Sequence, residues 1–206
     1  MMKIVIATRN RHKAVELQTL LHGVGYDAVR LDEIDPDGKI PEVEETGTTF
    51  KENALLKAHA IAKATGLPSV ADDTGLEVDA LGGAPGIFSA RYSGENCTYE
   101  DNVKKLLREL SDVADDRRTA RFKTVAVYVH KETELSAEGV VEGVITEKAE
   151  GFGGFGYDPV FSVWDMKKTY AQLADEEKNR VSHRGKAIRS LIEKLHENGL
   201  IADNPS

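Results

Sequence analysis

The sequence predicts a mixed α/β protein, and three observations carry that reading. An apolar opening run, Ile4-Val5-Ile6-Ala7, passes directly into a helical pattern. Thr49-Phe50-Lys51-Glu52 has capping-box spacing ahead of an alanine-striped helix. Two long strand-like runs, over 121–129 and 135–145, flank Lys131-Glu132-Thr133-Glu134 and form a hairpin candidate. Strands alternating with helices favour parallel pairing, and the hairpin adds antiparallel strands, so the sheet is expected to be mixed rather than a clean dinucleotide-binding unit.

After the opening strand, the spacing predicts a helix over 12–21 with Ala14, Leu17 and Leu21 on one side, stopped by Gly23 and Gly25. A second strand follows over 26–31, then an acidic, proline-bearing loop over 32–45. Ala54, Ala58, Ile61 and Ala62 form the apolar side of the capped helix, which Gly66 and Pro68 end. A short strand over 69–71 leads into Asp72-Asp73, and another is expected over 77–81, broken by Gly82-Gly83-Ala84-Pro85-Gly86. Thr98 and Asp101 cap a scaffold helix with Val103, Leu106, Leu107 and Leu110 inward. Gly139 and Gly143 suggest a bend or bulge in the second hairpin strand. A glycine-aromatic segment over 151–158 precedes Pro159-Val160-Phe161. The last helix is expected over 184–197, with Ile188, Leu191, Ile192 and Leu195 facing the core.

The 206 residues suffice for one domain, or two joined lobes, with a real core. No run approaches the roughly 20 apolar residues that span a bilayer, and the opening segment lacks a signal-peptide apolar core. Cys97 is the only cysteine, which excludes an internal disulfide and a thiolate zinc site. A cytoplasmic protein is expected. The net charge of −8 argues against general binding to a nucleic-acid backbone but not against a small anion in a local basic pocket.

Four groups can carry chemistry. In Val70-Ala71-Asp72-Asp73-Thr74-Gly75-Leu76, alternation along a strand sends the two carboxylates to opposite faces. One can then serve the scaffold while the other meets Mg²⁺ and phosphate, although Asp-Thr-Gly is also a turn composition. Thr8-Arg9-Asn10-Arg11-His12-Lys13 joins a strand to a helix and suits an oxyanion through Thr8, Asn10 and Lys13, or Asn10 simply caps the helix. Arg9 and Arg11 fall outside that set. Glu42, Glu44 and Glu45 precede Asn53 and Lys57, which share a helix face. In Gly153-Gly154-Phe155-Gly156-Tyr157-Asp158-Pro159, glycines allow close backbone approach, and an aromatic can cover a flat base or tuck into the core. Lys178 and Ser182-His183-Arg184-Gly185, at the entrance of the final helix, offer directional donors or merely cap and pack.

Taken together, these motifs resemble the inosine triphosphate pyrophosphatase (Ham1-like) family, over about residues 4–195. The resemblance rests on Ala7-Thr8-Arg9-Asn10 with Lys13, Glu44-Glu45-Thr46-Gly47, and Thr49-Phe50-Lys51-Glu52-Asn53-Ala54 with Lys57. It continues through Ala71-Asp72-Asp73-Thr74-Gly75-Leu76, Gly83-Ala84-Pro85-Gly86 with Ser89-Ala90-Arg91, Gly154-Phe155-Gly156-Tyr157-Asp158-Pro159 and Ser182-His183-Arg184-Gly185. Arg9 stands where the family often has glycine, and Thr74 replaces the commoner serine while keeping the hydroxyl.

The resemblance implies an elongated, two-lobed α/β fold with a central, strongly twisted mixed sheet, flanking helices and an active cleft between the lobes. It implies a homodimer and Mg²⁺-dependent hydrolysis of dITP, ITP and XTP to the monophosphate and pyrophosphate. Asp73 is then proton acceptor and metal ligand, Glu44 the second ligand, with Glu45 and Asp72 as the alternatives. Thr8, Asn10, Lys13 and Lys57 would bind the triphosphate, with Thr74 beside it. Phe155, Gly156, Tyr157 and Asp158 would hold the nucleoside, and Lys178, His183 and Arg184 the base. Two other readings are a Maf-like pyrophosphatase for another modified nucleotide and a non-catalytic nucleotide sensor. An aspartyl phosphomonoesterase is disfavoured because Asp72-Asp73-Thr74 lacks D-x-D-x-T spacing.

Overall fold

The computed structural model describes residues 3–200. In chain order these form β1 (Lys3–Ile6), α1 (Arg11–His22), β2 (Asp27–Arg30), α2 (Leu31–Ile34), α3 (Phe50–Thr65), β3 (Ser69–Val78) and α4 (Tyr99–Glu109). There follow β4 (Thr119–His130), β5 (Thr133–Ile145), β6 (Phe161–Val163), β7 (Lys168–Thr169), α5 (Asp175–Val181) and α6 (His183–Glu197). The strands order as β2-β1-β3-β4-β5-β6-β7. The sheet is mixed, as expected: β1 runs parallel to β2 and β3, whereas β6 is antiparallel to β5 and β7. Lys131 and Glu132 alone join β4 to β5, a connection short enough only for antiparallel neighbours.

Within the described residues, the chain divides into two compact units. The first takes 3–73, Thr124–Gly139 and 184–200; the second takes Thr74–Lys123 and Val140–His183. Each has its own core. In the first, Ile4, Ile6 and Val70 pack with Leu17 and Leu21 of α1 and with Ile188, Leu191 and Leu195 of α6. In the second, Leu76 and Val78 pack with Val103 and Leu106 of α4, Phe122, Phe161 and Tyr170. Among the described residues, no helix is long and apolar enough to cross a membrane.

Three local readings change. The expected break after Ala71 does not occur; β3 runs without interruption through both aspartates to Val78. Its neighbours supply backbone hydrogen bonds that outweigh the turn preference of Asp-Thr-Gly. At Gly143 there is close packing rather than a bulge. The residue stays in register with Val163, and a Cβ there would lie 2.3 Å from the Ser162 carbonyl oxygen and 2.6 Å from Cζ of Phe161. Residues 31–34 and 175–181, not read as helical from sequence, form short helices. Neither has the length for hydrophobic periodicity to show.

Candidate active site

In the first unit, β1 delivers the chain to the start of α1. Asn10 is the N-cap: its Oδ1 accepts from the backbone N–H of His12 (3.1 Å) and Lys13 (3.3 Å), while its own N–H donates to Thr8 Oγ1 (3.2 Å). The amide therefore caps, and Thr8 braces the cap. Arg9 turns aside to pair with Asp35 at 3.3 Å and to reach the Ile40 carbonyl.

One turn into α1, Lys13 Nζ lies 3.6 Å from Asp72 Oδ2. Alternation along β3 separates the two acids into different surroundings. Asp72 is fully buried and accepts from Arg184 Nε at 3.0 Å, while another guanidinium nitrogen of Arg184 donates to Glu16 of α1. Burial alone would weaken the Arg184 charge, but Asp72 and Glu16 hold its pKa above the ordinary value. Arg184 is itself buried, with its head in contact with both acids. Lys13 is shifted downward by burial, with Asp72 opposing and the cations Lys57 and Arg184 reinforcing the shift.

Asp73 faces α3 and the acidic loop. Its Oδ2 accepts from Asn53 Nδ2 at 3.3 Å, and its Oδ1 lies 3.4 Å from Lys57 Nζ. The same ammonium donates to Glu45 Oε1 at 2.7 Å. Asn53 Oδ1 in turn accepts from the Gly47 backbone N–H at 2.8 Å, and a Cβ on Gly47 would fall 2.6 Å from that oxygen. Gly47 thus lets the loop carrying Glu45 press against α3. Burial raises the Asp73 pKa; Lys57 and Lys13 counter this, and Glu45 and Asp72 add to it. Burial works against the Lys57 charge, yet Asp73 and Glu45 carry its pKa above the ordinary lysine value.

Of the two register choices in the loop, Glu45 meets the Asp73 group, whereas Glu44 is exposed and its backbone carbonyl accepts from Thr46. Among the described residues, no group of three or more His, Cys, Asp or Glu side chains is placed to hold a metal. Two converging carboxylates are nevertheless a suitable donor set for a small hard cation, which commonly takes one or two protein carboxylates and completes its shell with phosphate and water.

The second unit holds the aromatic group. Gly154, at φ +71°, leaves room for the Asp158 carboxylate; a Cβ there would sit 2.0 Å from Asp158 Oδ2. That oxygen accepts from the Phe155 backbone N–H (2.8 Å) and from Lys178 Nζ (2.7 Å). Lys178 is buried on α5, with its ammonium 5.0 Å from the centre of the Phe155 ring and 5.7 Å from that of Tyr170. His183 stacks on Phe122 at 4.5 Å and 13°, with Nδ1 3.4 Å from the Tyr170 hydroxyl. Phe155 is half-buried. Tyr157 instead packs in the core and donates its hydroxyl to the Ser89 carbonyl at 2.9 Å, so its ring anchors the loop. Gly156, at φ +63°, completes the turn, and Thr74 is half-buried on β3.

Sequence reasoning left Asn53 and Glu16 without roles. Asn53 had a signal, its four-residue offset from Lys57; Glu16 had none, because its partner lies 168 positions away.

The chain is thus a mixed α/β protein with a capped strand–helix turn and paired acids with their lysines in the first unit, and an aromatic-walled ion pair in the second. Comparison with known proteins gives the family. The Ham1 family model matches residues 4–194. A dITP/XTP pyrophosphatase of Salmonella typhimurium (strain LT2) is 54% identical over 198 residues, covering 95% of this chain and 98% of the relative. Two solved structures are similar: the Staphylococcus aureus Ham1 protein (TM-score 0.81, 42% identity, 95% of this chain and 99% of that one) and a HAM1 protein from Coxiella burnetii (0.83, 41%, 96% and 100%). The chain belongs to the Ham1 family.

Proposed function

We infer that this protein is a nucleoside-triphosphate pyrophosphatase that hydrolyses dITP, ITP and XTP to the monophosphate and pyrophosphate, clearing deaminated purines from the nucleotide pool. The observation that carries the reading is Asp73, buried at the junction of Lys57, Asn53 and Glu45 in a chain of this family.

Asp73 is the general base. Its upward-shifted pKa suits proton acceptance from water, and Asn53 fixes one carboxylate oxygen so that the other is oriented. Water attacks the α-phosphorus, Asp73 takes its proton, and the bond to the bridging oxygen breaks to release pyrophosphate. Lys13, Lys57 and the start of α1 offset charge on the phosphates. Asp73 and Glu45 would hold the Mg²⁺, which when bound polarises phosphate oxygens and the leaving group.

At the nucleoside end, Phe155 offers a ring face, and Asp158, Lys178 and His183 offer polar contacts. An ammonium donor at Lys178 suits the O6 carbonyl of hypoxanthine or xanthine; adenine presents an amino group there, leaving two donors opposed. Guanine shares O6, so its rejection depends on the 2-amino group. Arg184 acts through Asp72 rather than on the base. The protein works as a homodimer, a reading supported by the family resemblance; a monomer mass by light scattering in solution would overturn it.

Incubation with Mg²⁺ and ITP, followed by separation of products, tests the reaction. Equimolar IMP and pyrophosphate, with much less turnover of ATP or GTP, is expected. IDP with orthophosphate would overturn α–β cleavage, and binding of ITP without turnover would indicate a sensor.

A further inference from the structure

Glu45 and Asp73 come from different segments, a loop and β3, yet both converge on one ammonium. Lys57 Nζ lies 2.7 Å from Glu45 Oε1 and 3.4 Å from Asp73 Oδ1. The side chains of Lys57 and Asp73 are 13% and 9% exposed and that of Glu45 is 30% exposed, so water screens the Lys57–Asp73 contact weakly and reaches Glu45 from one side. Asp73 is buried and Glu45 converges on the same point, so the pair needs a compensating charge, and Lys57 supplies it. Asn53 holds the other oxygen of Asp73 without adding charge, so the carboxylate keeps its place whether or not the ammonium stays.

The two oxygens that Lys57 contacts are also the hard donors a divalent cation would take. Ammonium and divalent cation cannot both sit at that point without strong repulsion. Lysine has a flexible four-carbon stem and a point charge, so its head can leave while its backbone stays on α3. A triphosphate gives the displaced ammonium a new anionic partner.

We propose that Lys57 is the built-in counter-ion of the Glu45–Asp73 pair and yields both carboxylates to the divalent cation only when nucleotide phosphate is present to receive its charge. The proposal rests on the reading of that pair as the metal holders given above. Its consequence is thermodynamic coupling. Metal binds weakly to the protein alone and strongly with nucleotide, and by linkage each raises the affinity of the other.

Binding of Mn²⁺, followed by electron paramagnetic resonance of the free ion, tests this in wild type, Lys57→Met, Lys57→Arg and the double variant Lys57→Met/Asp73→Asn. Each is measured with and without a non-hydrolysable α,β-methylene ITP analogue, with the Mn²⁺ that the analogue holds by itself measured without protein and subtracted, and circular dichroism of the same samples checks folding. Wild type and Lys57→Arg are expected to bind Mn²⁺ at least about tenfold more tightly with the analogue. Without nucleotide, Lys57→Met is expected to bind Mn²⁺ about tenfold or more tightly than wild type, with a larger Mn²⁺-induced rise in Tm. The double variant loses that gain.

A folded Lys57→Met that binds Mn²⁺ no better than wild type overturns the proposal. So does a wild type whose Mn²⁺ affinity is the same with and without the analogue, a result independent of any variant's folding. If wild type binds no Mn²⁺ even with the analogue, the assignment of the pair as metal holders fails instead.

Discussion

The two units bury charge in opposite ways. In the first, acids and bases neutralise one another in chains: Glu16, Arg184, Asp72 and Lys13 form one, and Asp73, Lys57 and Glu45 another. In the second, the buried ion pair of Lys178 with Asp158 is walled by Phe155 and Tyr170, with Phe122 and His183 stacked nearby. Linked charges can be redistributed when a highly charged ligand arrives, which suits phosphate and metal. A pair among rings keeps its geometry because ring faces stabilise the cation without competing for its hydrogen bonds. The contrast recurs at single-residue scale, since Asp72 is held by an arginine whereas Asp73 is paired with a lysine.

Asp73→Asn should give the largest effect and break the first unit's role in chemistry alone. Turnover of ITP should fall about 100- to 10,000-fold, while the urea midpoint stays near wild type because the amide keeps the carboxylate's shape. Retained turnover would remove Asp73 as base. The same residue sets the pH response. Its pKa is raised chiefly by burial, and the protonated form cannot accept a proton, so activity is lost as pH falls through the raised value. The acid limb of kcat/KM should therefore lie above the ordinary aspartate pKa of about 3.9.

Arg184→Met sharpens the comparison from the structural side. It leaves Asp72 and Glu16 without their shared cation and should cost about 3–5 kcal/mol of stability, read as a lowered urea midpoint. If Arg184 served only the base, stability would hold and KM alone would rise. In the second unit, Lys178→Met should raise KM for ITP by an amount equivalent to about 1.5–3 kcal/mol, the worth of a hydrogen bond from a charged donor, with a smaller change in kcat. The smallest effect is expected from Phe155→Ala, about 0.5–1.5 kcal/mol in KM from lost ring contact. A larger loss there than at Lys178 would mean that stacking, not the ion pair, dominates base binding.

Much of this was legible from short-range pattern. The opening strand, the helix begun by Thr49 and the last helix were read from periodicity and caps, and each formed within a residue or two of expectation. Alternation in β3 foretold that Asp72 and Asp73 would separate, and they do: Asp72 meets Arg184 and Lys13, Asp73 meets Asn53 and Lys57. Where reading failed, the deciding partner was remote. The unbroken course of β3 depends on neighbouring strands, the core position of Tyr157 depends on Ser89, 68 residues earlier, and the capture of Arg184 depends on Asp72, 112 residues earlier.

The sequence by itself determined the types of the longer helices and of the hairpin strands, the acid pair, the lysines and the glycine-aromatic loop, because caps, periods and turn residues act over a few positions. Only the tertiary structure decided that Glu45 rather than Glu44 meets Lys57, that Asn53 orients Asp73, and that Arg184 locks Asp72. A charge on the chain has many possible partners until folding removes water from most of them. Which pairing survives is a matter of distance and burial, and neither is written in the local order of residues.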